Sequence, residues 1–119
     1  MKSYTELEQS KKLAEILPIE SADHFHIIGR LHTDGPKYEI IRSRNEVVET
    51  NKYWPCWSLA ALLDVLPFPQ LSKDKLGSGK VGWMVSVYPD NCRYDSCWHD
   101  NPIDACVDMI CWLHENKLI

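Results

Sequence analysis

No apolar run in this chain of 119 residues approaches the roughly 20 residues that a membrane-spanning helix needs. The opening Met1-Lys-Ser-Tyr-Thr-Glu-Leu-Glu8 lacks the hydrophobic region of a secretory signal. An excess of basic residues is missing as well, with 13 Lys and Arg against 17 Asp and Glu and a net charge of -4. Proteins that grip a phosphate backbone do so with clustered Lys and Arg, so neither nucleic acid nor membrane is an expected partner. The five cysteines form no even set. Without a secretion signal they imply reduced thiols and a cytoplasmic location rather than a disulfide framework.

Recognised catalytic motifs are missing too. Gly77-Ser-Gly-Lys-Val-Gly82 departs from a phosphate loop, which needs a glycine where Asp74 stands and Ser or Thr where Val81 stands. A strand follows it, not the helix whose N-terminus would cradle a phosphate. The series Asp90, Asp95, Asp100, Asp104 and Asp108 has no Asp-x-Asp-x-Asp-Gly run, so it reads as a solvated acidic edge and not a calcium loop.

What is present suffices for one domain with one core: 45% of residues are hydrophobic and 25% charged. The spacing predicts an amphipathic helix over Thr5 to Leu17, stopped by Pro18. Alternation from His24 to His32 and again from Tyr38 to Arg44, around a turn at Asp34-Gly35-Pro36, predicts a hairpin. Residues 45 to 53 then connect it to a proline-bounded apolar block, Trp54-Pro-Cys-Trp-Ser-Leu-Ala-Ala-Leu-Leu-Asp-Val-Leu-Pro67. There Ser58 caps a short helix, and Leu59, Leu62, Leu63 and Leu66 share one face. A helix this short is stable only when buried. Residues 67 to 80 read as a long exposed loop. Val81 to Tyr88 is the clearest strand, with Trp83 on its buried side, and Cys92 to Trp98 is a weaker return strand. Asn101-Pro102 opens a last helix with an apolar stripe of Ile103, Cys106, Val107, Ile110 and Leu113. The expected fold is therefore a single α+β domain over residues 1–119, its two hairpins joining in an antiparallel sheet beneath N-terminal, central and C-terminal helices.

Several residues have the chemistry for a site without the pattern for one. His24 and His26 share a strand face and could supply two metal nitrogens, but no third ligand lies near them, so they read as the polar face of a sheet. Cys92, Cys97 and His99 are zinc-ligand types at spacings that no second ligand pair completes, and neither metal nor cofactor is expected. Cys97 with His99 has the elements of a thiol nucleophile and its base, without any family motif for such an enzyme. Aromatic residues are the real excess. Of five tryptophans, Trp98 is the best candidate for exposure, and an exposed indole stacks on ligands or on a partner's side chains.

On the Pro55 to Pro67 block, on Asn101-Pro-Ile-Asp-Ala-Cys-Val-Asp-Met-Ile-Cys-Trp-Leu-His-Glu115 and on Ala14-Glu-Ile-Leu-Pro-Ile-Glu-Ser-Ala-Asp23, the chain resembles small uncharacterised proteins of gut Bacteroidetes, their prophages and mobile elements. That resemblance implies an accessory protein of a mobile element and carries over no catalytic residue. The leading expectation is a non-catalytic cytoplasmic protein that binds a protein partner, a second copy in a homodimer being one form. The alternative is a small-ligand binder or minor enzyme with Cys97, Trp98 and His99 in its cleft.

Overall fold

The computed structural model describes residues 2–30, 37–43 and 52–119. Local capping chemistry starts each of the three α-helices among the described residues. In α1 (Leu7–Ala14) the Glu6 N–H donates to Gln9 Oε1 at 3.1 Å. In α2 (Leu59–Val65) Ser58 Oγ accepts from the Ala61 N–H at 3.3 Å, while Asp23 accepts both the Ser58 N–H, at 2.9 Å, and its hydroxyl. In α3 (Pro102–Glu115) Asn101 Oδ1 accepts from the Asp104 N–H at 2.9 Å, with proline at the first helical position where no N–H is needed. The far end of α3 closes with Leu118 N–H to Leu113 O at 2.8 Å and Lys117 N–H to His114 O at 3.1 Å. This paired closure places Lys117 at φ 58, the left-handed position such caps use.

The first hairpin forms as its alternation predicts, from β1 (His24–Arg30) and β2 (Lys37–Ser43), His24 pairing with Ser43. Its turn at Asp34-Gly35-Pro36, His32 and residues 44–51 lie outside the described residues. A third strand, β3 (Lys52–Cys56), joins the free edge of β1 and gives the order β2-β1-β3. The proline-bounded block thus begins as strand and becomes helix only at Leu59. Pro55 is tolerated because β3 pairs as a strand with β1 on one side, and among the described residues its other side is met beyond Cys56 by the chain start, where the Thr5 N–H donates to Trp57 O at 3.0 Å.

The second sheet has the order β4-β5-β6, from β4 (Gln70–Lys75), β5 (Val81–Val87) and β6 (Tyr94–Asp95). Residues 67 to 80 are therefore no continuous loop. Gln70 to Lys75 pairs along β5, and the Gly77-Ser-Gly-Lys80 stretch is the turn of that hairpin, with Gly79 at φ 86. Each predicted hairpin acquires a third strand of its own, so the hairpins form two antiparallel sheets and not one.

Between the sheets and helices lies one core. Leu13 of α1, Trp57, Leu62 and Leu66 of the α2 region, Val85 and Val87 of β5, and Ile103, Cys106, Ile110 and Leu113 of α3 are all buried in it. The predicted α3 stripe is buried throughout, and Ala105 and Met109 widen it. Trp57 is fully enclosed, its Nε1–H donating to Ser21 Oγ at 3.0 Å, which meets the indole's need for a buried acceptor. Trp83 is half-buried rather than enclosed, because Lys73 lies opposite it in β4 and extends its ammonium over the ring at 5.1 Å.

Candidate functional site

The return strand departs from its expected form at the residues proposed as a site. Val87 pairs with Tyr94 and Ser86 with Asp95, and the Ser96 N–H donates to Val85 O at 2.9 Å. Regular pairing would then set Trp83 against Trp98. Instead Trp83 and His99 exchange two backbone bonds of 2.7 and 2.8 Å, leaving Cys97 and Trp98 together opposite Met84. One extra residue makes this a β-bulge, a device that bends a strand and re-aims its side chains.

Residues two apart share a face only in regular strands, and the bulge breaks that relation between Cys97 and His99. His99 lines a shallow depression of about 520 Å³ with Glu8, Lys12, Asp104, Asp108 and Cys111. Cys97 lines a cleft of about 190 Å³ with Asp95, Ser96, Asp108, Met109 and Trp112. Trp98, 41% exposed, lines neither. Asp108 separates the two concavities and accepts a hydrogen bond from His99 Nε2 at 3.0 Å.

Cys111 rather than Cys97 therefore shares a depression with the His99–Asp108 pair. No hydrogen bond joins that thiol to His99 among the described residues, and burial raises its pKa against the opposing influence of Lys12. A nucleophile needs its base within hydrogen-bond reach and its thiolate accessible. This arrangement meets neither condition. The deeper Cys106 is pushed up to about 12 by burial alone and is an inert core residue. Among the described residues no group of three or more His, Cys, Asp or Glu side chains is arranged to hold a metal ion.

His26 corrects the reading of its strand as a wet face. It is 1% exposed, set against Thr5 and against Ser10 of α1. Its Nε2 lies 2.8 Å from Thr5 O and 3.0 Å from Ser10 Oγ. A carbonyl only accepts, so Nε2 carries the proton and donates to both. Thr5 Oγ1 meets Ser10 Oγ at 2.7 Å and accepts the Trp57 N–H at 3.1 Å. Ser10 thus receives a hydrogen bond from His26 where a catalytic serine would give one. This buried network ties the chain's start to β1 and β3. His24, half-buried, keeps its Nδ1 3.1 Å from Asp23 Oδ1 and packs its ring against Tyr4 at 4.5 Å.

A further residue, not singled out by the sequence patterns, stands at the other end of the second sheet. Phe68 is 80% exposed, lies between Pro67 and Pro69, and adopts φ 49. For a bulky residue that is a conformational outlier, and the following proline restricts it further. Asn91 and Lys117 also have positive φ, but Asn tolerates it in a turn and Lys117 belongs to a helix cap. Phe68 has no such local reason. The segment is fixed to the sheet by the Tyr88 N–H donating to Pro67 O at 3.0 Å. The Pro-Phe-Pro triplet was the one signal in the sequence that could have drawn notice to it.

The chain matches no family model, no curated protein and no solved structure. None of the helices among the described residues is long and apolar enough to cross a membrane.

Proposed function

We propose that this chain is a non-catalytic binding protein that engages another protein by inserting Phe68 into an apolar pocket of that partner. The observation that carries this reading is the conjunction at Phe68 of 80% exposure, a left-handed backbone and two flanking prolines. Strain of this kind costs on the order of 1–3 kcal/mol, and it persists where the surroundings over-determine it, often at binding sites. Two prolines and the Tyr88 anchor restrict the segment before any partner arrives, which lowers the ordering cost of association. Burying one phenylalanine in return contributes roughly 1.5–3 kcal/mol. The protein acts in the cytoplasm in this reading, supported by five free cysteines. The mobile-element context rests on the sequence resemblance.

The test replaces Phe68 with photoreactive benzoylphenylalanine and irradiates the protein in a lysate of the cells that express it. A discrete protein adduct is expected from position 68 and not from exposed Lys75. Capture of that protein is expected to fall at least about tenfold in Phe68→Gly, as for a central aromatic anchor. Equal crosslinking from both positions, or capture indifferent to Phe68→Gly, overturns the reading. Light scattering of the purified chain decides whether the captured protein is a second copy.

A small ligand is the second reading. It attaches to the depression around His99, where the donor–acceptor pair with Asp108 is already oriented. Stabilisation of the fold by a compound, lost in His99→Ala, would support it.

A further inference from the structure

The cleft beneath the bulge is smaller than the depression around His99 and differently built. Asp108, Met109 and Trp112 come to it from α3, and Asp95, Ser96 and Cys97 from the return strand. We propose that this cleft receives an organic cation, the guanidinium or ammonium of an Arg or Lys side chain from another protein. The inference goes beyond the Phe68 reading and does not depend on it.

Size is the first argument. About 190 Å³ is well under the roughly 300 Å³ at which clefts for drug-sized molecules and cofactors begin, and it suits a single side chain. Chemistry is the second. Asp108 and Trp112 stand one helical turn apart on α3, so a carboxylate and an indole share one side of the helix. Tyr94 packs against Trp112 at 5.0 Å and holds that wall in place. An indole attracts a cation through its ring quadrupole, and Met109 offers apolar contact to the side-chain stem.

The acceptors are also partly unused. Asp108 accepts a hydrogen bond from His99 Nε2 through Oδ2, and Asp95 accepts from Ser86 Oγ at 2.6 Å and Arg93 Nε at 2.8 Å through Oδ1. Among the described residues the second oxygen of each carboxylate has no protein donor. Asp95 is already paired with the chain's own Arg93, so Asp108 is the carboxylate left for a further cation. No Lys, Arg or His lines the cleft, so an anion would meet the Asp108 carboxylate uncompensated and is selected against.

The test is an NMR titration of the full chain, read at the Trp112 indole N–H, with Nα-acetyl-arginine amide, Nα-acetyl-lysine amide and the uncharged isostere Nα-acetyl-citrulline amide. A saturable shift is expected with either cation and not with citrulline. Affinity should fall roughly three- to tenfold in Asp108→Asn, a loss that one cation contact explains, and should be unchanged in Phe68→Gly. The amide spectrum of each variant verifies that it is folded. Equal shifts with citrulline, an unmoved indole, or full binding by folded Asp108→Asn overturns the proposal while leaving the Phe68 reading intact. Tighter binding of tetramethylammonium than of either amide overturns the side-chain assignment in favour of a small quaternary ammonium ligand.

Discussion

Gln9 Nε2 donates to Asp104 Oδ1 at 2.7 Å, joining the first helix to the first turn of the last across 95 residues of sequence. Lys2 Nζ reaches the same oxygen at 2.6 Å, and Asn101 Nδ2 donates to the other at 2.8 Å. One carboxylate therefore holds the chain's start against the cap of α3.

That geometry sets a pH dependence. Burial works to raise the Asp104 pKa and is outweighed by the hydrogen bonds from Lys2, Gln9 and Asn101, so the group lies below its ordinary 3.8. A depressed carboxylate contributes stability above its unfolded pKa, and the contribution is lost as pH falls through the folded value. For Lys2, burial is likewise outweighed by Asp104 and Glu6, which raise it above 10.5, and its contribution is lost only as pH rises past that folded value. Asp104→Asn should cost about 1 kcal/mol at pH 7, the low end for charge-assisted bonds because the pair is 25% and 31% exposed. The deficit should shrink as pH falls below the ordinary carboxylate range and Asp104 becomes neutral like the asparagine. Urea denaturation at pH 7, 4 and 2 measures it, and an unchanged deficit at pH 2 would show that geometry and not charge carries the effect.

Leu62 lies in the core with no exposed surface, on the shared leucine face of α2. Removing such a side chain alone costs about 2–5 kcal/mol, and placing a carboxylate there adds a desolvation penalty to a domain with roughly 5–15 kcal/mol in total. Leu62→Asp should show no cooperative thermal transition. A folded, soluble variant by circular dichroism would mean that α2 is not the packing element described.

What the sequence made legible were signals confined to a few neighbouring residues. Ser58, Asn101-Pro102, the leucine face and the first hairpin each announce themselves through capping or period. β3 was hidden because Pro55 argues against a strand, and only its place beside β1 accommodates it. β4 was hidden because Gln70-Leu-Ser-Lys-Asp-Lys75 has no alternation: it is an edge strand held by backbone pairing, its lysines suited to an exposed rim. The bulge that separates Cys97 from His99 leaves no trace in side-chain pattern, since inserting one residue changes facing and not composition. His26 was misread for a related reason. A histidine on a strand looks polar until another element covers it.

The buried network around His26 predicts a cost for a nearly isosteric change. Thr5→Val keeps the volume and removes the oxygen that accepts the Trp57 N–H and meets Ser10. Two buried polar groups lose a partner, and leaving such groups unsatisfied costs about 1–3 kcal/mol. Equilibrium denaturation should register that loss. A variant within about 0.5 kcal/mol of the parent, the usual range for surface changes, would count the network as incidental.

Thiol labelling should divide the five cysteines by environment. Cys92 and Cys97 are exposed, Cys111 is partly covered with its pKa raised by burial, and Cys56 and Cys106 are enclosed. Alkylation with iodoacetamide at pH 8, followed by mass spectrometry, should modify Cys92 and Cys97 first, Cys111 more slowly, and the other two only on unfolding. Early labelling of Cys106 would contradict the packing of α3 against β5.

Phe68 yields the prediction with the most unusual sign. At φ 49 every side chain with a Cβ is strained, whereas glycine is not. Phe68→Ala keeps the strained backbone and removes only a ring that is already in water, so stability should hardly move. Phe68→Gly releases the strain, worth on the order of 1–3 kcal/mol, against an entropic penalty of about 0.4–1 kcal/mol from the freer unfolded chain. The glycine variant should therefore be more stable than the alanine variant, and equal to or above the parent, in urea denaturation with unchanged slope. Both substitutions should abolish the binding assigned to this residue. A position whose truncation leaves the fold intact, or improves it, while removing capture of a partner is held for contact and not for packing. A glycine variant less stable than the alanine one would instead make the Pro67-Phe68-Pro69 segment an ordinary structural turn.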